Sequence, residues 1–114
     1  MKWRNTGESF TFITMPAKGG YVYIVSNSTR SVLYTGVTSN LYNRIYEHRT
    51  GKGSVFTSRY HCTDLLYFEF FPTIEEAIHR EKRIKKWNRA WKDELIRAFN
   101  PDLKDLFDEV EEMQ

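Results

Sequence analysis

Cysteine is almost missing from this chain. A single one, Cys62, stands among 114 residues, so no internal disulfide can form and a thiolate-based zinc site lacks ligands. That scarcity points to a reducing, cytoplasmic setting. No hydrophobic run approaches the roughly 18 residues that span a bilayer, and residues 1–19 hold no continuous apolar stretch of the kind that directs secretion. P-loop, GxGxxG, GxSxG, HExxH and CxxC patterns are all absent, which leaves nucleoside-triphosphate, dinucleotide, serine-hydrolase and zinc-protease chemistries without support. The three histidines, His48, His61 and His79, are too widely separated for zinc-ligand spacing. There is no repeat, low-complexity tract or interdomain linker, and a chain of this length forms one domain with a core of its own.

What is present is charge, unevenly placed. The net charge of +2 divides into −5 over residues 102–114 and +7 over the rest. Between His79 and Lys92 lie Arg80, Lys82, Arg83, Lys85, Lys86, Arg89 and Lys92, opposed by Glu81 alone. Such density suits a polyanion such as nucleic acid, or a solvated helix face. Residues 1–14 differ in character from the rest of the chain and Met15 precedes a Pro/Gly stretch, so either Met1 or Met15 serves as a start. The expected organisation is a loose extension over 1–19, a folded domain over 20–101 and an acidic tail over 102–114.

Residues 21–26 and 32–37 are aromatic and β-branched, and the polar stretch between them predicts a β-hairpin. A turn centred on Ser28 and Thr29 would set Tyr23 opposite Tyr34 and bring both rings to one face. Ser39 or Asn40 caps a helix to about Arg49, a loop carries His61 and Cys62, and Leu65–Phe71 forms a third strand. Thr73 then caps a helix from Ile74 to about Trp87, followed by a segment from Trp91 to Phe99 that Asn100-Pro101 ends.

Several polar side chains fall where apolar ones belong. On a helix drawn from Ile74 at about 100° per residue, Ala77, Ile78, Ile84 and Trp91 make a stripe, and Glu81 lands inside it. A carboxylate turned toward a core needs a cation, hydrogen bonds or a metal. Arg44 and His48 share a face with Leu41 and Ile45 in the same way. A carboxylate, a guanidinium and an imidazole beside two tyrosines make a set suited to phosphodiester chemistry.

These residues carry a resemblance. Tyr21-Val22-Tyr23, then Tyr34-Thr35-Gly36, then Asn40-Leu41 with Arg44, and Glu81 within His-Arg-Glu-Lys-Arg-Ile-Lys-Lys-Trp, followed by Asn100-Pro101, resemble the GIY-YIG endonuclease superfamily. The nearest type is the small single-domain group related to the amino-terminal nuclease of bacterial excision repair. The resemblance implies an α+β fold, a three-stranded antiparallel sheet flanked by helices, and metal-dependent hydrolysis of DNA, branched or single-stranded forms included, in repair or recombination. It assigns Tyr23 and Tyr34 to the motif tyrosines, Tyr23 activating water, and Arg44 to the phosphorane. His48 takes a proton-transfer or phosphate-binding place, Glu81 binds Mg²⁺ or Mn²⁺, and Asn100 supports the site. The basic run from Arg80 to Lys92 would grip the flanking backbone. Tyr21 stands where the pattern has glycine and Thr35 replaces an aliphatic residue. Val37 stands where the repair nuclease has lysine, so a phosphate-side cation would have to come from Lys85 or Lys86. A non-catalytic nucleic-acid-binding module of the same fold, and a protein-interaction module, are the rival expectations.

Overall fold

The most apolar stretch of the sequence becomes the middle of the sheet. In a computed structural model that describes residues 19–114, Gly20–Ser26 forms β1, buried along its whole length. It is flanked by β2 (Leu33–Thr38) and β3 (Asp64–Phe71) in the order β2-β1-β3, with both pairings antiparallel. A strand covered on both faces has no solvent side, hence the unbroken run of aromatic and β-branched residues. The helices are α1 (Leu41–Arg49), α2 (Val55–Arg59), α3 (Ile74–Lys85), α4 (Arg89–Phe99) and α5 (Phe107–Glu112). The expected three-stranded sheet with flanking helices is the observed fold. Residues 1–18, most of the expected loose extension and both candidate starts, lie outside the described residues. Among the described residues, no helix is long and apolar enough to cross a membrane.

The two faces of the sheet are packed differently. Tyr21, Tyr23 and Val25 of β1 and Leu65 of β3 meet Leu41 and Ile45 of α1, with Leu106, Phe107 and Val110 closing that side. Val22 and Ile24 point the other way, with Leu66 and Tyr67, onto Ala77 and Ile84 of α3 and Ile96 of α4. Leu66 and Tyr67 share a face because the β1–β3 register slips between Ile24 and Val25, which leaves Leu66 as an extra residue in β3. The cap signals act as their chemistry dictates: Asn40, Ser54, Thr73 and Asn88 each accept a hydrogen bond from a backbone N–H in the first turn of the following helix.

Four expectations need correction. The hairpin register pairs Tyr23 with Gly36 and Tyr34 with Val25, two residues away from a turn centred on Ser28 and Thr29. Asn27 sets this: its Oδ1 accepts the Val32 N–H and its Nδ2 donates to Ser31 Oγ, closing a loop in which Arg30 adopts φ 63°. A slip of two residues preserves parity, so both tyrosines still face the same way. Second, the segment after α1 contains α2, which is stabilised by a reciprocal capping pair between Ser54 and Thr57. Third, Trp91 is 56% exposed, because the helix stops at Lys85 and restarts at Arg89, which breaks the projected stripe; it meets Trp87 edge-on at 6.0 Å.

The fourth correction concerns residues 102–114, which are part of the folded core. Leu106, Phe107 and Val110 are buried, at roughly 1.5–3 kcal/mol for a large apolar side chain. Asp105 ties the segment down: Oδ1 accepts the Leu65 and Phe107 N–H groups, and Oδ2 pairs with Arg49 at 2.6 Å. The Leu106 N–H in turn donates to the Leu65 carbonyl at 2.8 Å. The acidic side chains at 108, 109, 111 and 112 are simply the solvent face of this element.

Candidate active site

β1 and α1 meet at a chain of hydrogen bonds. Tyr23 points from the central strand toward α1, and its ring lies across β2 at Gly36, where a Cβ would intrude into the phenol. Arg44 and His48, one turn apart on α1, reach the Tyr23 hydroxyl from two directions, with Arg44 Nε at 3.3 Å and His48 Nε2 at 2.8 Å. Gly53 lies directly against the His48 ring, again with no space for a Cβ. The other imidazole nitrogen, Nδ1, is 2.9 Å from Thr57 Oγ1 of α2.

The proton positions follow from the inventory of donors and acceptors. Arg44 only donates, so among the described residues His48 Nε2 is the acceptor for the Tyr23 hydroxyl proton. His48 therefore carries its proton on Nδ1 and donates it to Thr57 Oγ1, which also accepts the Ser54 N–H. The direction is Arg44 to Tyr23 to His48 to Thr57. Burial pushes the Tyr23 hydroxyl up to about 12, against the lowering effect of Arg44. Burial, with the Arg44 charge adding to it, pulls His48 down to about 4, so the ring is neutral near pH 7.

Tyr23 and His48, each 1% exposed, form the floor of the site. Arg44 and Tyr34, both half-buried, form its accessible rim. Arg44 Nη1 pairs with Glu47 Oε1 at 2.7 Å, and Tyr34 packs edge-on against the His48 ring at 5.9 Å. The structure thus brings Tyr23, Tyr34, Arg44 and His48 together.

Glu81 stands apart from that chain of hydrogen bonds. It is buried on α3, among the residues that pack on the other face of the sheet, and its Oε2 pairs with Lys85 at 2.7 Å. Lys85 supplies the connection: its ammonium lies 5.7 Å from the centre of the Tyr34 ring. Val37 is half-buried on the α3 side, and of Lys85 and Lys86, the expected sources of a replacement charge, Lys85 is the one at the tyrosine. Among the described residues, no three His, Cys, Asp or Glu side chains converge on a common point. The donor chemistry of a lone carboxylate rules against a closed zinc site and suits a hard divalent ion that keeps most of its water.

Asn100 is elsewhere. Its amide donates to the carbonyls of Leu66 and Lys104, so it fastens the end of α4 to the bulge in β3. The basic run is also divided. Arg80 pairs with Glu69, and Arg89 bonds Asp93 together with the carbonyls of Arg30 and Ser31. Lys82, Arg83 and Lys86 remain exposed, with no ion pair among the described residues, and Lys92 is half-buried. A surface hollow of about 670 Å³ between β3 and α3 carries mixed charge, with Glu75, Glu76, His79 and Arg83 of α3 all on its lining.

Sequence reasoning missed Thr57, Gly53 and Glu47. The available signal was Ser54-x-x-Thr57, a helix-start pattern with threonine in the place of the usual glutamate.

The chain is similar to proteins already known. A family model described as the GIY-YIG catalytic domain matches residues 19–94. A UPF0213 protein of Clostridium perfringens is 46% identical over 67% of this chain and 81% of its own length. One of Haloquadratum walsbyi is 41% identical over 66% of this chain and 83% of its own. The solution NMR structure of a UPF0213 protein from Bacillus halodurans aligns at 34% identity with a TM-score of 0.46, covering 70% of this chain and 84% of that one.

Proposed function

Because the chain belongs to the GIY-YIG family, we propose that it is a divalent-metal-dependent endonuclease that hydrolyses phosphodiester bonds in DNA. The observation that carries this reading is the hydrogen-bonded chain Arg44–Tyr23–His48, with Tyr34 packed against its imidazole. Arg44 presents a planar guanidinium at the rim, where it can donate to non-bridging phosphate oxygens. Glu81 is the residue that would hold Mg²⁺ or Mn²⁺, and an ion there supplies positive charge to the scissile phosphate.

Proton transfer sets the demand on the protein's own groups. For Tyr23 Oη to take a proton from attacking water, its own proton must pass to His48 Nε2. With burial raising Tyr23 to about 12 and lowering His48 to about 4, that transfer is uphill in the resting protein. Arg44, 3.3 Å from Oη, is the residue of this chain that favours the phenolate. As the new bond to phosphorus forms, the bond to the leaving sugar oxygen breaks, and that oxygen takes a proton from solvent. Lys82, Arg83 and Lys86 would hold flanking backbone, making binding salt-dependent and largely indifferent to sequence.

One observation favours the second reading, a binding module of weak or no turnover: the Lys85 ammonium already neutralises the Glu81 carboxylate. The deciding experiment incubates labelled DNA structures with Mg²⁺ or Mn²⁺, using wild type, Tyr23→Phe and Glu81→Gln. We expect metal-dependent scission by wild type, a loss of about 100-fold or more in each variant, and gel retardation unchanged in Glu81→Gln. Scission that persists in Glu81→Gln would remove that carboxylate from its role. Retardation without scission in wild type would establish the binding module.

A further inference from the structure

α2 shows an unusual division of labour. Five residues cannot hold a helix by propensity alone; Thr57 pins this one inward, to Ser54 and to His48. Outward, α2 and the residue after it display Val55, 85% exposed, Phe56, 41%, and Tyr60, 44%. The rings are ordered. Phe56 stacks on Tyr34 at 5.7 Å with planes 29° apart, and Tyr60 meets Phe56 at 4.8 Å. Since Tyr34 rests on His48, a continuous series of rings leads from the floor of the site to solvent.

Cations accompany them. The Arg59 guanidinium lies 6.0 Å from the Tyr60 ring centre. Beside it is an open cavity of about 490 Å³ lined by Lys52, Gly53, Ser54, Ser58 and Arg59, and Gly53 itself packs against the His48 ring. Exposed ring faces with adjacent positive charge are what an unpaired nucleotide strand recognises, since its bases can leave their stack and its backbone needs neutralising. A fully paired duplex keeps its base faces covered.

We propose that Phe56 and Tyr60 form a stacking platform for unpaired nucleobases beside the active site, with Lys52 and Arg59 holding the attached phosphates. This selects DNA with a single-stranded stretch next to the cleavage position, and it rests on the reading that the site acts on nucleic acid. The continuity of the rings with His48, and the paired cations, favour a strand over a protein partner or a second copy.

The test is fluorescence anisotropy of the full chain without divalent ions, using an oligothymidylate of about 12 nucleotides and a duplex of equal length. We expect wild type to prefer the single strand. Phe56→Ala and Tyr60→Ala should each weaken that binding by about 5- to 100-fold and leave duplex binding within about twofold. Phe56→Leu, which keeps the apolar volume and removes the π-face, should behave like Phe56→Ala, and Phe56→Trp should restore affinity. Equal losses on both probes, or no preference in wild type, would overturn the platform. So would a concentration-dependent dimer that Phe56→Ala dissolves. Metal-dependent scission surviving in Phe56→Ala with single-strand binding unchanged would reject the platform and keep the nuclease reading. The stacking signature without scission would do the reverse.

Discussion

A neutral, buried His48 makes the stability of the fold depend on pH in a calculable way. Its folded value of about 4 lies below the 6.5 of a free imidazole, so the unfolded chain takes up this proton first. The contribution is complete above pH 6.5 and is lost as the pH falls toward 4. With these two values, the loss is about 2 kcal/mol between pH 7 and pH 5, and about 3 kcal/mol near pH 4. At a urea dependence of roughly 1–2 kcal/mol per molar, the midpoint should fall by about 1–2 M between pH 7 and pH 5. The comparison is with His48→Gln, which keeps the carboxylate contributions and removes the imidazole. It should be less stable at pH 7, with the gap to wild type narrowing by about 2 kcal/mol at pH 5. In NMR spectra of wild type, the His48 Cε1–H resonance should hold its neutral position down to about pH 5. A gap that stays constant, or a His48 resonance that titrates near 6.5, would refute the reading that burial and the Arg44 charge hold this ring neutral.

Gly36→Ala places a methyl against the Tyr23 ring, in a part of the sheet where neither can retreat. It should destabilise by about 1–3 kcal/mol and reduce scission more than stability alone explains, measured by thermal denaturation beside the cleavage assay. Removing residues 104–114 deletes Leu106, Phe107 and Val110 from the core and takes away the Asp105 carboxylate that accepts the Leu65 N–H of β3. That chain should lose its cooperative unfolding transition in circular dichroism, where an acidic tail laid over a basic surface would instead leave the transition intact and raise DNA affinity.

The sheet and the two main helices were legible because burial imposes period. β1 reads as a continuous apolar run, while α1 and α3 show their stripes with Asn40 and Thr73 as caps. The anomalies were legible for the same reason: a stripe makes an intruding Arg44, His48 or Glu81 visible. What stayed hidden was set by contacts distant in sequence or by side chains acting on backbone. The hairpin register depended on Asn27 bonding across its own loop, with an arginine in a left-handed conformation. Leu106 at the cap of α5, with Phe107 and Val110 within it, falls at helical spacing, but six acids in thirteen residues masked them. The partner of Glu81 was one of seven cations nearby, and only coordinates could single out Lys85 and its approach to Tyr34.

Asp105 and the three apolar residues after it have a consequence for how the protein comes into being. The face of the sheet that carries Tyr23 is finished by residues 106–110, nearly ninety positions after β1 begins. A nascent chain that has released both tyrosines, Arg44, His48 and even Glu81 from the ribosome still has a bare strand edge at Leu65 and an uncovered apolar layer. The Tyr23 face would therefore become a finished layer only once residues 105–110 have docked on β3 and α1.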